Sequence, residues 1–127
     1  MIVASFIAAA LAFGPPTAPS AEQLGRRYWL AVDAGRRAAN MTCSLEDFPR
    51  YEDESSPFRR NDKRLRAIAD AISELDDDAL LLGRRGLVLT PANMWCDDPQ
   101  AAREALEKYD QRVDELETLV ATRAVKD

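Results

Sequence analysis

No histidine occurs anywhere in the 127 residues of this chain. Its absence removes the usual general base, the commonest zinc ligand and the side chain that titrates near neutral pH. Ser–His and Cys–His catalytic pairs are therefore excluded within one chain, and carboxylates would have to carry any acid–base chemistry. Cysteine is almost as scarce. Cys43 and Cys96 are too few for a four-cysteine zinc site and lack CxxC spacing, so they read as a disulfide or as two small buried hydrophobes. Aromatic residues make up only 7% of a chain that is 46% apolar, a balance of aliphatics, alanine and acid–base residues that suits an all-helical protein. Positive charge is also in deficit, with 17 Lys and Arg against 22 Asp and Glu and a net charge of −5. Phosphate backbones need a net basic surface, so nucleic acid is not an expected partner.

What is present begins with an apolar run. Ile2 to Phe13 is nearly uninterrupted and rich in alanine, and Gly14-Pro15-Pro16 comes directly after it. As a helix the run would cover roughly 18 Å, short of a hydrocarbon core of about 30 Å. Its length matches a secretory signal core, with Ala18-Pro19-Ser20 supplying small residues at a cleavage zone. One departure is that no Lys or Arg precedes the run. We therefore expect residues 1–20 to be a signal peptide, residues 21–127 to form a single helical domain, and the mature protein to be periplasmic or secreted.

Three long helices are expected. Ser20 and Gln23 form a capping-box pair opening a helix to about Cys43, with Leu24, Tyr28, Ala31, Val32, Gly35, Ala38, Ala39 and Thr42 on its core side. Arg26, Asp33, Arg37 and Asn40 fall on the opposite side, and Trp29 lies on a flank that a simple helix pair leaves uncovered. Ser56 and Pro57 form an N-cap and N1 pair for the second helix. Its seam is Phe58, Leu65, Ile68, Ile72, Leu75, Ala79 and Leu82, and after Asp76-Asp77-Asp78 the helix is expected to end in a last turn capped by Asp78 and closed at Gly83. Asp98-Pro99 opens the third, whose stripe is Ala102, Leu106, Tyr109, Val113, Leu116 and Val120, widened by Ala105 and Leu119. Leu106 is expected at full burial, with Glu104, Glu107, Lys108, Asp110, Asp114 and Glu115 facing water.

Between the second and third helices, Gly83 to Asp97 has no helical period but carries Leu87, Val88, Leu89, Met94 and Trp95. Such a connection should lie across the bundle and cover Trp29. A disulfide needs Cα atoms within about 7 Å, and Cys43 and Cys96 meet that condition only if this segment returns along the bundle. Export makes the bond the preferred reading. The expected fold is thus a small all-α three-helix bundle with a long apolar crossover and a single disulfide, Cys43 to Cys96.

No residue pattern indicates catalysis or a cofactor. Ser44 to Ser56 breaks all periodicity and mixes Glu46, Asp47, Glu52, Asp53 and Glu54 with Phe48 and Tyr51. These seven residues are the candidate partner-binding site, an acidic loop with two aromatic anchors for a protein that presents a basic surface. The resulting expectation is a small exported protein-binding or accessory protein that docks through an acidic surface. Two alternatives stand beside it. One is a carboxylate-based enzyme or calcium-dependent module using Glu46 with Asp47, Asp76 to Asp78, or Asp97 with Asp98. In the other, the apolar N-terminal segment is retained and the chain contacts a membrane complex as an accessory subunit. Processing separates export from retention: protein isolated from its native host should have lost roughly 20 residues by intact mass, and a full-length soluble product overturns the export reading.

Overall fold

A computed structural model describes residues 18–42, 48–50, 53–90 and 98–126, with residues 124–126 as helix backbone only. All regular structure among them is helical. The elements are α1 (Ala21–Thr42), α2 (Pro57–Leu75), α3 (Ala79–Arg84) and α4 (Pro99–Lys126). Cys43 and Cys96 lie outside the described residues, and the expected bond between them has no support from the rest of the structure.

The helix starts are the ones their caps encode. Ser20 and Gln23 exchange both bonds of the capping box, with the Ser20 N–H donating to Gln23 Oε1 at 2.8 Å and the Gln23 N–H to Ser20 Oγ at 3.1 Å. Ser56 Oγ accepts from the Arg59 N–H at 3.3 Å, with Pro57 in the first turn. Asp98 Oδ1 accepts from the Gln100 N–H at 2.9 Å at the head of α4. Processing after Ser20 would remove the cap of α1, at a cost of about 1 kcal/mol.

Among the described residues the bundle has four helices rather than three, because the chain breaks at Asp76. That residue is extended (φ −160°, ψ 119°), and its carboxylate accepts from the Asp78 N–H at 2.9 Å. Asp78 itself makes no capping bond through its side chain. Ala79–Arg84 is therefore no last turn of α2 but a separate helix that turns onto α1. Gly83 sits inside α3, and the left-handed turn residue is Gly86, at φ 76°.

Small residues decide how α1 and α3 meet. Ala21 and Gly25 on α1, and Ala79 and Gly83 on α3, each lie four residues apart on one face. A Cβ at Gly25 would overlap the Ala79 carbonyl, and one at Gly83 would overlap the backbone of Gly25 and Arg26. The two backbones are thus in direct contact. Trp29 is covered by α3: its Nε1 donates to the Leu80 carbonyl at 2.7 Å, and the Arg84 guanidinium stands 5.0 Å over its ring.

Strand-like residues 87–90 do return along α1, as expected of the crossover. Arg26 donates to the Arg85 carbonyl at 3.3 Å, and two turns later Thr90 bonds the Asp33 carboxylate through both its N–H and its hydroxyl. Asp33, expected on the wet side, is accordingly half-buried. Alternation in the extended segment leaves Leu87 and Leu89 half-buried but turns Val88 to solvent, 97% exposed, so it does not cover Trp29. Trp95 lies outside the described residues.

On its other side α1 packs against α4. The Tyr109 ring lies over Gly35, where an added Cβ would come within 2.7 Å of it, and Arg123 donates to the Pro19 carbonyl at 3.2 Å. The start of α1 thus meets the end of α4, and the two run antiparallel. The core cluster comprises Leu24, Ala31 and Ala38 of α1, Phe58, Leu65, Ile68 and Ile72 of α2, Ala79 of α3, and Tyr109, Val113, Leu116 and Val120 of α4. Leu106 is only half-buried, on the margin of this cluster. It falls one turn before Tyr109, and it is the Tyr109 ring that occupies the space against α1 and Phe58.

One substitution tests the close passage and a second serves as its surface control. Gly25→Ala should destabilise by about 1 to 3 kcal/mol in urea unfolding, since the helix-propensity gain of about 1 kcal/mol is outweighed by overlap with backbone that cannot rotate away. Glu107→Ala, on the exposed side of α4, should stay within about 0.5 kcal/mol.

Candidate binding cleft

A concavity with an apolar floor lies where α1, α2 and α4 diverge. It encloses about 350 Å³ and is lined by Tyr28, Val32, Gly35, Arg36 and Ala39 of α1, Phe58, Asp62, Leu65 and Arg66 of α2, and Tyr109 of α4. Helical spacing explains the α1 contribution, because residues 28, 32, 35 and 39 recur at four and three and share a face. Two of them are glycine and alanine, and the missing side-chain volume is what opens the cleft. Phe58 and Tyr109 close the floor, their rings stacked at 26° with centroids 6.2 Å apart.

Charged groups stand at the rim. Arg66 pairs with Asp62 at 3.3 Å across one turn of α2. Arg36 reaches the Thr90 carbonyl at 3.5 Å, a long contact that leaves most of its guanidinium donors for a ligand. The Tyr28 hydroxyl has its pKa raised from the ordinary 10.0, first by burial and then by the negative charge of Asp62. Tyr28 is therefore a neutral donor at physiological pH. An apolar floor with a few fixed polar groups around it suits recognition of a side chain or small amphipathic ligand.

A polar lock holds the α2 and α4 walls in register. Asn61 is fully buried, donates to Asp110 and accepts from Arg64 at 3.0 Å. Arg64 also bonds Asp114 and grips both oxygens of Glu117, at 3.0 and 3.1 Å. Those carboxylates, Glu117 first, raise the pKa of Arg64 further, so it stays charged. Asp110, Asp114 and Glu117 repeat at four and three along α4, and the partners ascend together along α2. The two helices are therefore parallel. Asp114 faces water as expected while also pairing with Arg64, whereas Asp110 is half-buried at this contact.

The acidic loop is only partly described. Glu46, Asp47, Tyr51 and Glu52 lie outside the described residues, as does Asp97. Phe48 is half-buried, and the Arg103 guanidinium of α4 lies 6.0 Å from its ring centroid. Asp53 accepts from the Arg50 N–H at 3.2 Å in a tight turn, and both Asp53 and Glu54 are exposed. None of the three lines the cleft, but the loop runs directly through Ser56 into Phe58, which does. Asp76, Asp77 and Asp78 are exposed, and no group of three acid or cysteine side chains comes together as a metal site among the described residues.

Sequence reasoning missed the cleft because each of its apolar residues also fits the core stripes. Tyr28, Gly35, Phe58 and Tyr109 are legible as helix-packing residues, while their splaying apart is not. The Asp62 to Arg66 spacing on α2 was the available signal for a charged rim. No family model, curated protein or solved structure matches this chain. Among the described residues, no helix is long and apolar enough to cross a membrane.

Tyr28 gives the cleft a pH signature. A tyrosine whose folded pKa lies above its unfolded value contributes full stability below about pH 10 and loses it as the pH rises further, because the unfolded chain ionises first. Unfolding midpoints should therefore fall above about pH 10, and Tyr28→Phe should remove part of that fall. An identical alkaline profile in the variant would contradict the burial of this hydroxyl.

Proposed function

We propose that this protein is a non-catalytic helical accessory protein that docks another protein through the cleft and the acidic loop leading into it. The observation that carries the reading is the cleft itself: an apolar floor walled by three helices, with Arg36, Asp62 and Arg66 at its rim. Sites on rigid elements lose little entropy on binding, and a pocket of this size accepts one apolar anchor of a partner, the arrangement typical of a binding hot spot. The exposed Asp53 and Glu54, shortly before Phe58 in the chain, favour basic groups around that anchor. The composition, with no histidine, supports binding over catalysis.

Export and the Cys43–Cys96 bond belong to the same reading. The antiparallel packing of α1 and α4 is compatible with the bond, since it sets Thr42 and Asp98, the described residues nearest each cysteine, at one end of the bundle. Such a bond would hold the root of the acidic loop. A non-reducing peptide map of protein from its native compartment checks it.

Filling the cleft tests the docking role. Ala39 is half-buried and lines the site, so Ala39→Phe should occupy it without disturbing the helix content seen by circular dichroism. Wild-type protein should bind the uncharged dye Nile red at one site, and the variant should not. Affinity capture with both forms from the native host should recover a partner with the wild type alone. Equal recovery by a folded variant that no longer binds the dye would show that docking occurs elsewhere.

A further inference from the structure

The face of α1 opposite the cleft carries a different chemistry. At 100° per residue, positions 26, 27, 30 and 37 lie on the far side of α1 from positions 28, 32, 35 and 39. There α1 and α4 form two adjoining grooves, of about 500 and 160 Å³, that share Leu30 and Arg112. Arg26 and Arg27 line the first, and Arg37 and Lys108 the second. Five cations thus lie along one track in a chain whose net charge is −5. Asp33 is the acid lining this track, and its two oxygens already accept from Thr90.

The contrast with α2 makes the arrangement informative. Arg64 and Arg66 find carboxylates on the α2 side. Of the five track cations, none makes an ion pair with a described residue, and Arg26 alone has a described bond, to the Arg85 carbonyl. Lys108 and Arg112 even stand four apart on α4, a like-charge spacing that disfavours the helix slightly. Between the cations lies Leu30, half-buried yet outside the core cluster.

We propose that this track binds an acidic, extended polypeptide segment of a partner, with an apolar residue seated over Leu30. From Gln23 to Arg37 the track runs about 21 Å, the span of roughly seven extended residues. Cations on both walls match carboxylates on alternate sides of such a strand, and the arginine forks match them in geometry. Concavity favours a chain over a flat anionic bilayer, which could not bring its headgroups into a groove between two helices. The site is independent of the cleft, and its charge preference is the reverse of the acidic loop's.

A fluorescein-labelled decaglutamate peptide with one central leucine is the probe, with its glutamine counterpart as control, read by anisotropy on the full chain. The glutamate peptide should bind, weakening steeply with added salt, and the glutamine peptide should not. Arg27→Glu with Arg112→Glu should weaken binding by more than about tenfold while Ala39→Phe leaves it unchanged. Should the double reversal fail to fold, Arg37→Gln with Lys108→Gln should still weaken it severalfold. No binding of the glutamate peptide, or binding undiminished in a folded track variant, overturns the proposal. So does stronger association with phosphatidylserine vesicles than with the peptide.

Discussion

The passage of α3 over α1 at Gly25 and Gly83 is the contact on which the remaining packing depends. Two helix interiors accept glycine there, at about 1 kcal/mol each relative to alanine, because any side chain would hold the backbones apart. With α3 seated that closely, its Leu80 carbonyl comes within reach of the Trp29 indole, and Arg84 closes over the ring. Arg85 is then delivered to Arg26, and the chain is launched back along α1 toward Asp33 and Thr90. Moving α3 outward by a methyl group would disturb all of these together, since interiors are close-packed.

A second consequence of small residues is the surface that α1 shows to its neighbours. Gly35 lets the Tyr109 ring approach the helix closely, and Ala31 and Ala38 are buried beside the α4 core residues. The same thinness leaves the α1–α2–α4 junction short of filling side chains, so close packing on one line and an open cleft on the next have one origin. α2 cannot slide to close it. Asn61 and Arg64 tie α2 to three carboxylates of α4, and a buried amide with both ends engaged tolerates no change of register without losing partners.

Charge is distributed by face, and the net value hides this. Acids of α4 are drawn to Arg64 on one side, while Lys108 and Arg112 are left with the arginines of α1 on the other. A molecule with net charge −5 therefore has a cationic groove, and its acidic loop leads into a cleft whose rim carries two arginines and one aspartate. A docking role assigned from the net charge alone covers only one of these faces.

Much of the fold was legible in the residue order because caps and helical periodicity are local. Ser20 with Gln23, Ser56 with Pro57 and Asp98 with Pro99 set the helix starts, and the stripes of Leu24 to Thr42, Phe58 to Ile72 and Tyr109 to Val120 set the inward faces. These depend on residues within a few positions of one another. The direction of the chain after Asp76 was not legible. Whether Ala79–Arg84 extends α2 or turns onto α1 is decided by glycines more than fifty residues apart, and a glycine has no side chain by which a pattern could announce its partner. Burial of Leu106 and exposure of Val88 were likewise settled by neighbours distant in sequence: Tyr109 claims the space against α1, and the pleat of an extended segment leaves one residue in two facing out. The seven loop residues 46–48 and 51–54 stood out by composition, whereas Tyr28, Asp62, Arg36 and Arg66 form a site only where three helices diverge. Sequence determined the helices and their inner faces, since each arises from neighbours along the chain. The cleft, the cationic track and the seating of α3 on α1 required tertiary structure, because each exists only between elements.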